Sequence, residues 1–484
     1  MIDAPSTRRA PARSGPLVSL EPLPAETVGL APMDVAEAFR DLPGLAVLES
    51  ARPGRRSRWT YLAADPIALL EAPSEGRDPF AGARRQLARI ARDAGPGEPP
   101  FLGGLVGYLG YDLGLAFEDR ALGASDDQGL PVLRLGLYDW VVAWDRRTGR
   151  GWLGGRAVDG DGVRLARRLA DVRERLRAAT TGMSDSTRMG VAPDAPSADG
   201  LRFVSSLDRP AFEAGVEAVR DAIARGEIYQ ANLTRRLRTP FRDDPWALYR
   251  CLRTGDPALF AAYLDIGRAP DGAARAIVSA SPEPFLSIDA SGHASADPIK
   301  GTRPRGHDRA EARSLARELL ASDKDRAENT MIVDVLRNDL GRVCLPGSVR
   351  VPRLCRLERT AAVQHLVSTV TGRLAPGRDA FDLLAASFPG GSITGAPKIR
   401  AMEILERLET VRRGPYTGAL GWIGPDGAMA TSILIRTFVA DGTHLSLNVG
   451  GGMTWRSDPA AEWQETVAKA RGPLGAIGAS EVPA

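Results

Sequence analysis

Residues 419–471 read ALGWIGPDGAMATSILIRTFVADGTHLSLNVGGGMTWRSDPAAEWQETVAKAR. Three runs in this stretch, 419–423, 431–439 and 445–450, have the apolar and β-branched character of strands, and the connections between them are short. Pro459 then opens a helix, with Ser457 or Asp458 as its cap. The same grammar continues upstream. Residues 276–281 and 285–288 suggest a hairpin, and 228–237 a strand. Asp208 caps a helix whose stripe is Phe212, Val216, Val219 and Ile223, ended by Gly226. Asp325 begins another, with Ile332, Val335, Leu336 and Leu340, stopped by Gly341. Pro397 opens a third, with Met402, Leu405 and Leu408. Strands that are mostly hairpin-linked, with helices between groups of them, give an α+β fold rather than a βαβ repeat.

The amino-terminal half adds strand-like runs at 103–109, 133–137 and 140–144 and an Arg-rich helix at 161–177. Residues 181–200, rich in Gly, Ser, Pro and Asp without periodicity, read as a linker or long loop. The organisation expected is a disordered tail over 1–15, an amino-terminal part over 16–180, that linker, and a catalytic part over 201–475.

Composition narrows the function. The chain has 484 residues, 43% of them hydrophobic and 25% charged, with a net charge of +3. That is an ordinary globular balance and not that of a dedicated nucleic-acid binder. No apolar run approaches the roughly 18 residues of a membrane span. The three Cys and four His show no paired spacing, which argues against a zinc site or a disulfide framework and for a cytoplasmic protein with reduced thiols.

Of the 63 Lys and Arg, only Lys300, Lys324, Lys398 and Lys469 are Lys. Arg stays protonated, so a Lys retained in so Arg-biased a chain draws attention as a possible neutral amine. Lys300 lies in DPIKGTRPRG (297–306), where two Pro and two Gly suggest a rigid loop. FPGGSITGAPKI (388–399) is a Gly-rich loop entering a helix. Ala396 and Pro397 separate Gly395 from Lys398, so it fails the nucleotide P-loop spacing and suits a carboxylate or a turn better. Glu462, Glu465 and Lys469 share one face of the last helix. With Glu328 they would suit a hard cation such as magnesium, although an exposed ion pair worth about 0.3–0.5 kcal/mol meets the same spacing. LNVGGGM (447–453) allows a close approach of backbone to ligand. Arg436, lone in the apolar run ILIRTF, calls for an anionic partner.

Seven segments taken in order resemble the chorismate-utilising enzymes: GEIYQANLTRR (226–236), SASPEPF (279–285), DPIKGTRPRG, ENTMIVDVLRNDLGR (328–342), VQHLVST (363–369), FPGGSITGAPK and GGGMTWRSDPAAEWQET (450–466). The resemblance implies two large antiparallel sheets packed as a sandwich with helices outside. Lys300 resembles the subgroup that makes 4-amino-4-deoxychorismate, the aminodeoxychorismate synthases, where the Lys is a nucleophile toward chorismate; anthranilate synthases carry Ala there. The same resemblance implies Glu283 as general acid/base, His365 near the reacting ring, and Tyr416, Arg436, Gly452, Thr394 and Lys469 as substrate contacts. Glu328 and Glu465 would be magnesium ligands, with Glu462 nearby or acting through water. It further implies ammonia from a separate glutaminase subunit, since no Cys here sits in a nucleophile elbow, and a separate aminodeoxychorismate lyase downstream. Residues 255–264, GDPALFAAYL, depart from the tryptophan-sensing relatives, and Pro284 departs from the larger residue usual beside Glu283.

Overall fold

The computed structural model describes residues 15–27, 29–52, 57–72, 78–92, 99–117, 123–181, 200–359 and 363–482. Residues 1–14 of the expected tail (1–15) and 182–199 of the expected linker (181–200) lie outside the described residues. Among the described residues the chain forms one sheet of 13 strands and one of 10. Pairing between the strands is antiparallel, except that Ser480–Glu481 lies parallel to Arg202–Ser205; Ser125 and Val411 add an isolated parallel bridge. The fold is therefore α+β, as expected.

Strands from both halves of the chain enter each sheet. In the larger one, Ala46–Glu49 pairs with Phe260–Arg268, which leads through Ala274–Ser281, Thr437–Ala440 and His444–Met453 to Gln230–Pro240. In the smaller one, Gly104–Leu109 pairs with Ala419–Ile423, and Pro284–Ile288, His293–Ala296 and Val363–Arg373 lead to the edge strand Ile299–Pro304. The facing sides meet in one apolar layer that includes Tyr61, Phe101, Tyr108, Ile277 and Trp422. Its rings interlock, with Phe101 and Trp422 stacked at 4.9 Å and Tyr61 edge-on to Trp422 at 6.0 Å. Outer faces are covered by helices, among them Gly162–Thr181 and Pro245–Gly255 on the larger sheet and Asp323–Gly341 on the smaller.

The caps explain where the helices start. Asp208, Ser322 and Asp458 each accept a backbone N–H of the first turn, so the helices run Arg209–Ala224, Asp323–Gly341 and Pro459–Ala476. The second begins two residues before Asp325, because Ser322 rather than the Asp is the capping side chain.

Three expectations are corrected. Residues 276–281 and 285–288 are not a hairpin: the first run belongs to the larger sheet and the second to the smaller. Pro282 and Pro284 flank the crossing and lack the N–H that a continued ladder needs. The strand expected over 431–439 is likewise two, Met429–Ile433 in the smaller sheet and Thr437–Ala440 in the larger. Arg436 sits at the break with φ +50°. Finally, the segment around Lys300 is a strand, Ile299–Pro304, rather than a loop. Gly301, at φ +78°, shifts its register between Lys300 and Thr302. Such a bulge re-aims a side chain, and any Cβ at 301 would press on Asp325.

Candidate active site

The two crossings lie side by side and are stitched together. Ser281 Oγ donates to Ile433 O at 2.6 Å, Ile433 N donates to Glu283 O at 3.1 Å, and Ala280 N donates to Arg436 O at 3.0 Å. Glu283 and Arg436 thus occupy the places where the chain passes between sheets, and neither backbone is held in a regular ladder.

Lys300 reaches this point from the edge strand. Its Nζ donates to Ser392 O at 2.9 Å, and Ser392 Oγ donates to Glu283 Oε1 at 3.4 Å. Burial pushes the Lys300 amine below its ordinary value, against the opposing pull of Glu283 and Glu328. Glu283, 9% exposed, is pushed upward by burial, with Lys300, the Ile299 N–H and Ser392 opposing. An amine eased toward neutrality beside a carboxyl eased toward protonation is an arrangement that can serve nucleophilic and acid chemistry. His365, on Val363–Arg373, bonds through Nδ1 to Thr302 Oγ1 at 2.8 Å. Burial, reinforced by Arg436, keeps its imidazole below the usual value.

A carboxylate group borders this pair. Glu328 is raised by burial against Lys300 and Lys324, and its Oε1 is buried with no hydrogen-bond partner. Glu462 is raised by burial, and its Oε1 accepts from Ser457 Oγ at 2.6 Å. For Glu465 burial pushes upward, but Lys469, at 2.7 Å, together with Lys324 and Lys300 leaves the group below its ordinary value. Glu465 adds to the upward push on both Glu328 and Glu462, so the three share one field. Lys469 Nζ also donates to Gly450 O at 2.8 Å. A Cβ at Gly451 would lie 3.3 Å from Glu462 Oε2 and 3.4 Å from Glu465 Oε1, so glycine there lets the strand approach both carboxylates. Among the described residues no three acidic, imidazole or thiol groups converge closely enough to hold a metal by themselves.

The other expected residues surround this centre. Thr394 is fully buried; its Oγ1 donates to Gly390 O at 3.0 Å, and its carbonyl accepts from Asn232 N at 2.8 Å. Gly452 lies opposite Asn232 in the ladder. Tyr416 is buried, its hydroxyl pushed well above the ordinary value by that burial. Arg436 Nη1 stands 3.8 Å from Asp256 Oδ2, an oxygen with no hydrogen-bond partner. The Arg436 side chain is 46% exposed, not sunk in the apolar run as its sequence neighbours suggest.

The other two lysines each pair with a carboxylate. Lys398 bonds Asp339 Oδ2 at 3.0 Å and Ser387 O at 2.9 Å, tethering the helix start. Lys324, 48% exposed, places its Nζ 4.0 Å from Glu328 Oε1. The sequence reading also missed Gln230. It is 1% exposed, lies beside Gly452, and has neither side-chain polar atom paired. A buried amide of this kind calls for a hydrogen-bond partner, water or ligand. The Gln between Tyr229 and Ala231, at the start of the strand, was the available signal.

A profile of the chorismate binding enzymes matches residues 46–475. The chain belongs to this family. Among relatives of the chorismate-binding family, anthranilate synthase component 1 of Streptomyces coelicolor is 42% identical, over 89% of this chain and 83% of its own length. Aminodeoxychorismate synthase component 1 of Salmonella typhimurium is 38% identical, over 85% and 88%. The crystal structure of anthranilate synthase component I from Streptococcus pneumoniae superposes with a TM-score of 0.75 at 29% identity, covering 87% of this chain and 93% of that one. The family assignment makes the chain a chorismate-utilising enzyme. No helix among the described residues is long and apolar enough to cross a membrane.

Proposed function

We propose that this chorismate-utilising enzyme is an aminodeoxychorismate synthase component 1, converting chorismate and ammonia to 4-amino-4-deoxychorismate and water. The observation that carries the reading is Lys300, a strand lysine whose amine is eased toward neutrality beside Glu283. Neutral Lys300 adds through Nζ to carbon 2 of chorismate. The ring double bonds shift, and the 4-hydroxyl departs as water with a proton from Glu283. Ammonia then adds at carbon 4, the double bonds shift back, and the Lys300 amine is expelled. One hard substitution becomes two easier ones.

Arg436, Tyr416 and the backbone at Gly452 would clamp the enolpyruvyl carboxylate, with Thr394 completing that wall and Lys469 beside the ring carboxylate. Glu328 and Glu465 would hold magnesium, with Glu462 joining through water. The orphaned Glu328 Oε1 and an all-carboxylate donor set suit a hard cation that takes one or two protein carboxylates and fills its remaining positions with substrate and water. Bound magnesium supplies Lewis-acid polarisation of the ring carboxylate. Ammonia would come from a separate glutaminase subunit, and a separate aminodeoxychorismate lyase would take the product onward to 4-aminobenzoate for folate synthesis in the cytoplasm.

Anthranilate synthase is the competing reading, favoured by the 42% identity to the Streptomyces protein. Purified chain incubated with chorismate, magnesium and ammonium, with and without added lyase, separates the two. Formation of 4-aminobenzoate only when lyase is present supports the proposal; lyase-independent anthranilate fluorescence overturns it.

A further inference from the structure

Arg413 lies outside every group assigned above, yet it is among the largest fully buried side chains. All five of its N–H donors are used. Nε and Nη2 grip the two oxygens of Glu409 at 2.8 and 2.6 Å. Nη2 also donates to Asn232 O at 2.6 Å, and Nη1 donates to Ile393 O at 2.9 Å and Thr417 Oγ1 at 3.3 Å. Its guanidinium rests 4.3 Å from the ring centre of Tyr111. Glu409 in turn accepts from Thr234 N at 3.0 Å and Thr234 Oγ1 at 2.9 Å.

The three bodies so joined are the ones that line the site. Asn232 and Thr234 belong to the strand that starts with Gln230. Ile393 lies between Ser392, whose carbonyl receives Lys300 Nζ, and Thr394. Thr417 follows Tyr416, and its β-branched residue is held at φ +59°, a conformation that persists only where surroundings enforce it. Thr417 Oγ1 donates to Tyr416 O at 2.6 Å.

We infer that Arg413, locked to Glu409, is a positioning residue that sets the Ser392 carbonyl receiving Lys300 and the placement of Tyr416 through one buried guanidinium. It touches no substrate atom; it acts through the loop and the turn. The roles given to Lys300 and Tyr416 rest on the proposed function. The hub itself does not. Lysine cannot replace it, having three donors on a single nitrogen and no planar fork.

The test compares Arg413→Lys and Glu409→Gln with the unaltered enzyme. Chorismate consumption gives kcat and KM. Competitive labelling of amines at a series of pH values, read by mass spectrometry, gives the titration of Lys300 without any turnover. Both variants are expected to keep a cooperative melt, lose at least tenfold in kcat with a smaller rise in KM, and show Lys300 titrating closer to an ordinary lysine. Unchanged kinetics and unchanged Lys300 titration in a folded variant overturn the inference. Unfolding of both variants also overturns it, assigning the pair to stability alone. Failure of the proposed function shows separately, as the wrong product from unaltered enzyme, while the labelling result stands regardless of product.

Discussion

Lys300 Nζ donates to the carbonyl oxygen of Ser392 at 2.9 Å. A backbone carbonyl carries no charge, so it aims the amine without holding it protonated as a paired carboxylate would. Ser392 also reaches Glu283 through its hydroxyl, so one residue orients both partners of the proposed chemistry.

The first prediction concerns pH. Lys300 must be neutral to attack, so kcat/KM rises with pH until its lowered pKa is passed. Glu283 must be protonated to donate, so activity falls as pH rises through its raised pKa. The profile is a bell, and Glu283→Gln removes the alkaline limb while costing about 10²–10⁴-fold in kcat. A profile whose alkaline limb survives in this variant removes Glu283 from the acid role.

Glu283 also carries a stability prediction. Its folded-state pKa lies above the unfolded value, so the native state binds more protons and stability falls as pH rises through that raised pKa. Glu283→Gln, neutral at every pH, is therefore expected to melt a few degrees higher than the parent at pH 8 and to show less difference at pH 4. Calorimetry at both pH values checks the sign.

The carboxylate group predicts a cation dependence. Glu328→Ala and Glu465→Ala each weaken divalent binding at least tenfold, read directly with manganese by electron paramagnetic resonance in the presence of chorismate. Chelation by EDTA abolishes turnover, and magnesium restores it. Unchanged manganese affinity in both variants contradicts the assignment.

Lys398 and Lys324 should separate cleanly. Lys398→Met leaves Asp339 buried without its ion partner and is expected to cost about 3 kcal/mol of stability. Lys324→Met removes an exposed charge and costs little stability. It also takes a cation away from Glu328, so it raises the Glu328 pKa and with it the pH needed for manganese to bind. Urea melts and binding titrations distinguish the two.

How far this was legible in the sequence depends on what carried each contact. Caps at Asp208 and Asp458, the apolar stripes and the Gly-rich segment were visible because side-chain identity determines them locally. The two sheet crossings were not, because an apolar run looks the same whether it continues one ladder or moves to another. Arg436 therefore read as buried when it lies at a break. Ser392 and Arg413 escaped notice for a related reason: they act through carbonyl oxygens, which every residue possesses. The i,i+4 spacing of Lys324 and Glu328 is readable in the sequence, but such a pair on a surface helix is usually inert, so the spacing alone does not single it out.

The most direct test of the account is the mass of the Lys300 peptide after incubation with chorismate and magnesium in the absence of ammonia, quenched and digested. An adduct of chorismate less one water on Lys300, discharged when ammonium is added, is the predicted result. An unmodified Lys300, together with undiminished formation of the amino product by Lys300→Ala, would contradict it.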